Sequence, residues 1–379
     1  MKNYDYIIVG AGAAGLMMAY RMAKDTFFDN KSILIVDKEK KTQNDRTWCY
    51  WENGAGEWDA ILHTSWKEII FDSEFYATQE NIAPYQYKMI RSSSFYNKIW
   101  DFVATKNNFE FLSSTIKKIE QQNNFALVTT NSTTYKSKHV LNSVVFDKTY
   151  LEQTKYPVLK QHFVGWFVEV EQDTFNDSVA TFMDFKIQQQ GNTRFMYILP
   201  LSKKVVLFEY TLFSEDLLAY ETYEKAIQNY LAEKGITNYK IIEKEDGIIP
   251  MTSYKFWKSN SKNIVNIGTA GGWSKASTGF TFRNTTKKTA VLLDFLKRDK
   301  PLNTFHKRNK FWFYDLLMLD VLSKENYLGA SLFSRLFKRN KTQQILKFLD
   351  DETSFLEDLK IMATMPTSKF LSAFFKRLF

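Results

Sequence analysis

One stretch near the start leaves this chain little choice of fold. Tyr4-Asp-Tyr-Ile-Ile-Val9 reads as a β-strand and runs straight into Gly10-Ala-Gly12-Ala-Ala-Gly15, with a helical segment over roughly residues 13–24. A second strand, Ser32–Val36, ends at Asp37, 22 residues beyond Gly15. The first glycine permits a tight turn, the second lets a pyrophosphate approach the backbone, and the third lets helix and strand pack closely. The helix N-terminus favours the phosphates, and an acid at the end of the second strand can take the ribose hydroxyls. This β-α-β unit predicts a Rossmann-like domain that binds a dinucleotide, and its N-terminal position favours FAD over NAD.

Further along, the pattern changes. Residues ~85–105 read as helix, and ~109–147 as short strands. From ~162 to ~213 the chain reads as mainly antiparallel sheet, with Leu201–Lys204 turning a hairpin. Residues ~219–235 read as helix, Ile264–Ile267 as a short buried strand, and ~284 onward as mostly helix. No linker or repeat intervenes. The expected fold is therefore α/β: a discontinuous FAD-binding domain (1–150 and 245–300), an inserted β-sheet substrate domain (151–244), and a helical C-terminal region (301–379).

Within the inserted sheet, Glu209 is the one carboxylate of the apolar run Val205–Phe213. Alternation places Val205, Leu207, Glu209 and Thr211 on one face. Facing water, Glu209 is ordinary. Facing inward, it is costly unless paired or neutralised, and burial raises its pKa. Phe195 and Tyr197 share a face of the preceding strand, where they either line a cavity or fill a core. A second glycine-rich block, Gly268-Thr-Ala-Gly271-Gly272-Trp273 through Gly279, follows a strand and precedes a helix. Its small residues leave backbone N–H groups free for a phosphate or a flavin ring.

Composition excludes some functions. Net charge is +9, but no nucleic-acid motif accompanies it, so nucleic acid is not an expected partner. Basic residues thicken toward the C-terminus, which fits an anionic membrane surface. One cysteine, Cys49, and four histidines without ligand spacing point away from a metal site. No leader pattern and no apolar run of spanning length is visible. The expectation is a cytoplasmic protein, peripheral at the inner face of the cell membrane, with residues 367–379 as an interfacial helix or one docked on the core.

Several segments together resemble the bacterial lycopene β-cyclases: the N-terminal fingerprint, Asn44-Asp-Arg-Thr-Trp48, Met183-Asp-Phe185 with Phe195-x-Tyr197-x-Leu-Pro200, Glu209-x-Thr211, Gly247-x-Ile-Pro250, the Gly268–Phe282 block and Phe348–Thr353. The resemblance implies an FAD enzyme, active in the reduced form with NAD(P)H as reductant, that cyclises lycopene and other acyclic carotenoids. It makes Glu209 the acid required for cyclisation, whether it orients the flavin, stabilises a cation or relays the proton. The implied cofactor residues are Gly10, Gly12, Gly15, Asp37, Gly268, Gly271, Gly272 and Gly279, with Arg91 before a helix; the substrate candidates are Phe195, Tyr197 and Trp273. Two departures stand out: Leu141–Asp147 lacks the glycine common in related flavoproteins, and Lys275 stands where proline is common. The rival readings are an FAD-dependent isoprenoid reductase or monooxygenase acting on a lipid, and a non-catalytic carrier.

Overall fold

The computed structural model describes residues 1–306 and 308–378. Its first sheet runs in the order 109–113, 33–37, 3–9, 134–142, 126–130, 116–121, and the short strand Ile264–Asn266 pairs with Thr134–Asn142. Strands Asn3–Val9, Ile33–Asp37, Phe109–Ser113, Thr134–Asn142 and Ile264–Asn266 form its parallel part, and the other two extend it antiparallel. Ile7, Ile8, Val9, Ile33, Ile35 and Val36 are fully buried, as a central parallel strand covered on both faces requires. Helices Ala13–Lys24 and Phe282–Leu296 pack together on this sheet.

The second sheet has seven strands, in the order 240–251, 159–169, 205–214, 193–200, 179–184, 68–72, 77–81. Thr193–Pro200 and Val205–Ser214 form the expected hairpin. Two strands come from the early segment, Glu68–Asp72 and Ala77–Asn81, and Lys240–Met251 crosses the expected boundary at 245. The second sheet is thus assembled from both sides of the boundaries read from the sequence. One face packs Val164, Trp166, Phe208 and Tyr210 against Tyr223 and Tyr230 of helix Tyr220–Glu233. The other carries an aromatic core and, beside it, a cavity.

The helix expected over ~85–105 is half strand. Tyr85–Arg91 forms the middle of a three-stranded sheet, between Thr47–Asn53 and Thr64–Trp66, and the helix begins only at Ser92. As a central strand it buries residues on both faces, which erases the alternation that would have marked it.

From Lys310 the chain is helical to Leu378, apart from short turns. The last helix, Thr367–Leu378, docks by one face: Phe374 meets Phe313 edge-on at 5.9 Å, and Arg377 pairs with the buried Asp320 at 2.5 Å. Leu371 and Phe375 remain exposed. Phe379 lies outside the described residues.

Candidate active site

The N-terminal glycines behave as their spacing predicts. Gly10 adopts φ +92°, a left-handed region that favours glycine. A Cβ on Gly15 would overlap the Gly10 carbonyl oxygen, whereas one on Gly12 would meet nothing within 4 Å. Gly12 therefore opens onto free space at the helix N-terminus. Asp37 Oδ2 accepts the Ala11 N–H at 2.5 Å and ties the second strand to the glycine turn.

That free space belongs to a cavity of about 440 Å³ between the two large sheets. Gly12, Ala13 and Ala14 line one side, with Gly268, Thr269 and Gly279 of the late block. Gly268 and Gly279 both take positive φ. Thr285 on the helix that follows is fully buried, lines the cavity, and its hydroxyl has no partner among the described residues. Backbone N–H groups, a positive helix end and an unsatisfied hydroxyl fit the phosphate and ring edges of a dinucleotide.

The opposite wall is the second sheet. In register across it stand Glu245, Gly165, Glu209 and Tyr197, all on the cavity face. Gly165 separates the two carboxylates: a Cβ there would lie 3.2 Å from Glu245 Cγ and 3.5 Å from Glu209 Cβ. Phe163, Leu207, Leu199, Tyr87 and Cys49 supply much of the apolar surround.

Glu209 is thus turned inward, not to bulk water. The one hydrogen bond to its carboxyl group among the described residues is from the Thr211 hydroxyl, at 2.9 Å. Burial first, then repulsion from Glu245, lifts its pKa to about 8. Burial also raises Glu245, but the Thr47 hydroxyl, donating at 2.6 Å, and Arg91 oppose that rise. Thr47 belongs to the Asn44–Trp48 segment, which is strapped at several points. Asp45 accepts from Lys41 at 2.7 Å and Tyr96 at 2.8 Å, Asn44 accepts the Ser93 N–H at 3.0 Å, and Trp48 stacks on Phe282.

Other residues singled out from sequence lie elsewhere. Arg91 is not on the cavity lining; it pairs with Glu243 and covers the Phe167 ring at 4.1 Å. Phe195 is fully buried among Phe185, Tyr197 and Phe213, and Trp273 packs in the nucleotide-domain core; neither lines the cavity. Large apolar rings fill core space more effectively than they stay open to a cavity, and only Tyr197 of the three substrate candidates reaches it. Gly271 and Gly272 shape the turn: Cβ atoms there would overlap the Asn266 carbonyl and the Phe256 ring. Lys275, where proline was expected, is buried between Asp315 at 3.0 Å and Asp351 at 2.7 Å. Burial opposes its charge, and the two aspartates outweigh that, holding its pKa above lysine's ordinary value. Asp351 lies in the Phe348–Thr353 run, so that run fastens the C-terminal helices to the late glycine block.

Glu245, Gly165, Phe163 and Gln161, all but Gly165 on the cavity lining, escaped the sequence reading; Thr47 was reached only as part of the Asn44–Trp48 segment. Glu245 sits in an edge strand whose charged, alternating residues look solvated. The one available signal was the nearby Gly247-x-Ile-Pro250.

A Rossmann-like sheet with a glycine-lined cavity, roofed by an inserted sheet, defines the flavoprotein class. A flavoprotein/dehydrogenase from Cytophaga hutchinsonii has the same fold, with TM-score 0.61 and 12% identity over 96% of this chain and 100% of that one. The model of the lycopene cyclase protein family matches residues 5–374, and the chain belongs to that family. It is 23% identical over 295 residues to a lycopene beta-cyclase from Pantoea ananas, covering 74% of this chain and 71% of that protein. It is also 23% identical over 302 residues to a chloroplastic neoxanthin synthase from Solanum tuberosum, covering 73% of this chain but 57% of the longer plant protein.

Proposed function

We propose that this chain is a lycopene β-cyclase, an isomerase that closes the acyclic ψ-ends of lycopene into β-ionone rings and gives β-carotene by way of γ-carotene. The observation that carries the reading is Glu209, a carboxyl group turned into an aromatic-lined cavity beside the glycine-lined edge, where burial pushes its pKa up to about 8. A proton adds to the terminal double bond and leaves a tertiary cation. The neighbouring alkene closes a six-membered ring, and loss of a ring proton completes it. No net electron transfer occurs.

Glu209 supplies or relays the proton, and the carboxylate left behind stabilises the cation in a low-dielectric site. Tyr197, Tyr87 and Phe163 present aromatic faces, worth roughly 2 kcal/mol to a desolvated cation. The apolar walls exclude the water that would otherwise capture it as an alcohol. Gly10, Gly12, Gly15 and Asp37 would hold the dinucleotide part of FAD, with Gly268, Thr269, Gly279 and Thr285 toward its ring. Reduced by NAD(P)H and bound there, FAD would supply an electron-rich ring that assists proton transfer without being consumed.

The substrate dissolves in lipid, and the protein would work at the inner face of the cell membrane. Among the described residues no helix is long and apolar enough to cross a membrane. The last two helices instead leave Phe355, Leu356, Leu359, Leu371 and Phe375 exposed, with Lys360, Lys369 and Lys376 on the same helices. That combination suits an anionic lipid surface.

The test is pigment chromatography of a lycopene-accumulating bacterial host expressing the chain. β-Carotene is expected. Unchanged lycopene, with soluble FAD-loaded protein present, would overturn the reading.

A further inference from the structure

Cyclisation needs a proton acceptor as well as a donor. The ring closes on a cation, and the product forms only when an adjacent ring carbon gives up its proton. Once Glu209 has given up its proton, the carboxylate left behind stabilises the cation, and taking the ring proton would remove that charge; a second carboxylate lets the two roles be divided.

Two more carboxyl groups line the cavity among the described residues, Asp45 and Glu245; Asp45 is tied down by Lys41 at 2.7 Å and Tyr96 at 2.8 Å on the Asn44–Trp48 segment, whereas Glu245 stands on the sheet with Glu209. Glu245 lies level with Glu209 in the sheet, because both pair with the same residue, Gly165. With no side chain at Gly165, Leu207, Glu245 and Glu209 close in over it, and both carboxyl groups line the cavity. Their surroundings differ. Glu209 meets apolar neighbours and one threonine hydroxyl. Glu245 receives the Thr47 hydroxyl and lies within the influence of Arg46 and of the Arg91–Glu243 ion pair. Two interacting carboxyl groups in unlike environments divide into an acid and a base, as paired carboxylates do elsewhere.

We propose that Glu245 is the second catalytic carboxylate, which accepts the ring proton released by cyclisation. The assignment rests on the cyclase reading. The cycle balances without an added reagent. Protonated Glu209 gives its proton to the terminal alkene carbon, the ring bond forms from the second alkene, and that alkene's electron pair moves the cation to a ring carbon. The adjacent C–H bond breaks, its electrons form the ring double bond, and its proton goes to Glu245. Return of that proton from Glu245 to Glu209 restores the starting state.

Of the other titratable groups lining the cavity, Asp45 is one that burial would raise, but Lys41 and Tyr96 hold it and keep its pKa below the usual carboxylate value. Burial raises the Cys49 thiol and the Tyr87 and Tyr197 hydroxyls well above their ordinary values, so all three stay neutral.

The test uses full-length, FAD-loaded protein with lycopene in phospholipid vesicles under reducing conditions. Activity of the unaltered protein should require Glu209 protonated and Glu245 ionised, which gives a bell-shaped pH profile. Glu245→Gln should keep FAD, lose roughly 10²-fold or more in turnover and lose the acid limb of the profile. Glu245→Asp should restore that limb in part. Thr47→Val, which keeps the carboxyl group but strips its hydrogen bond, should move the acid limb to higher pH. Unaltered turnover and an unaltered pH profile in Glu245→Gln would overturn the assignment while the cyclase reading stands. Absence of cyclised product from the unaltered protein would remove the reading itself, and the assignment with it.

Discussion

A carboxyl group without a counter-ion in an apolar cavity lowers its cost of burial by taking up a proton. Burial and the neighbouring Glu245 raise the pKa of Glu209, which makes stability depend on pH. A carboxyl group whose folded pKa lies above its unfolded one stabilises the fold fully below the unfolded value. It loses that contribution as pH rises from 4.5 to about 8. Glu209→Gln, always neutral, should therefore melt increasingly above the parent protein as pH climbs through that window, while retaining FAD and losing nearly all cyclisation. Thermal melts across the window, alongside a turnover assay, check both parts; parallel melting curves would mean that Glu209 ionises freely. Gly165 matters for a different reason. A Cβ there would lie 2.9 Å from Leu207 Cδ1 and push between the two carboxyl groups. Gly165→Val should cost about 1–3 kcal/mol in denaturant unfolding and abolish turnover with FAD still bound.

At the level of elements, the late glycine block depends on a buried ion cluster. Lys275 leaves the block to meet Asp315 on helix Lys310–Lys324 and Asp351 beyond helix Thr342–Leu349. Lys275→Met should destabilise the protein by about 2–4 kcal/mol, because Asp315 and the half-buried Asp351 lose their counter-ion. The triple change Lys275→Met, Asp315→Asn and Asp351→Asn should recover much of that loss in the same unfolding assay. Elements marked by local chemistry were legible in the sequence. The glycine fingerprint needs only a strand, a turn and a helix start, and the 201–204 turn needs only its own polar residues. Strand Tyr85–Arg91 was not, since its neighbours cover both faces and remove the two-residue period.

For the whole molecule, the described C-terminal helices serve two ends. Phe374 and Arg377 hold the last helix to the body, while Leu371 and Phe375 point outward. Deleting residues 367–379 would strip a partner from the buried Asp320 and confuse unfolding with detachment. Replacing Phe355, Leu356, Leu371 and Phe375 with serine leaves the docked face intact. It should weaken sedimentation with anionic vesicles without lowering the melting temperature; unchanged sedimentation would place the contact elsewhere on the surface. Residue order alone decided the nucleotide unit, the hairpin and the strand that bears Glu209, because turn chemistry, periodicity and the needs of a phosphate act over a few neighbours. Tertiary structure decided that Glu245 faces Glu209, that Phe195 and Trp273 turn into the core, and that Asp351 reaches Lys275. Those outcomes depend on strand register and on packing between segments far apart in the chain, where a carboxylate on an edge strand looks solvated until another sheet closes over it.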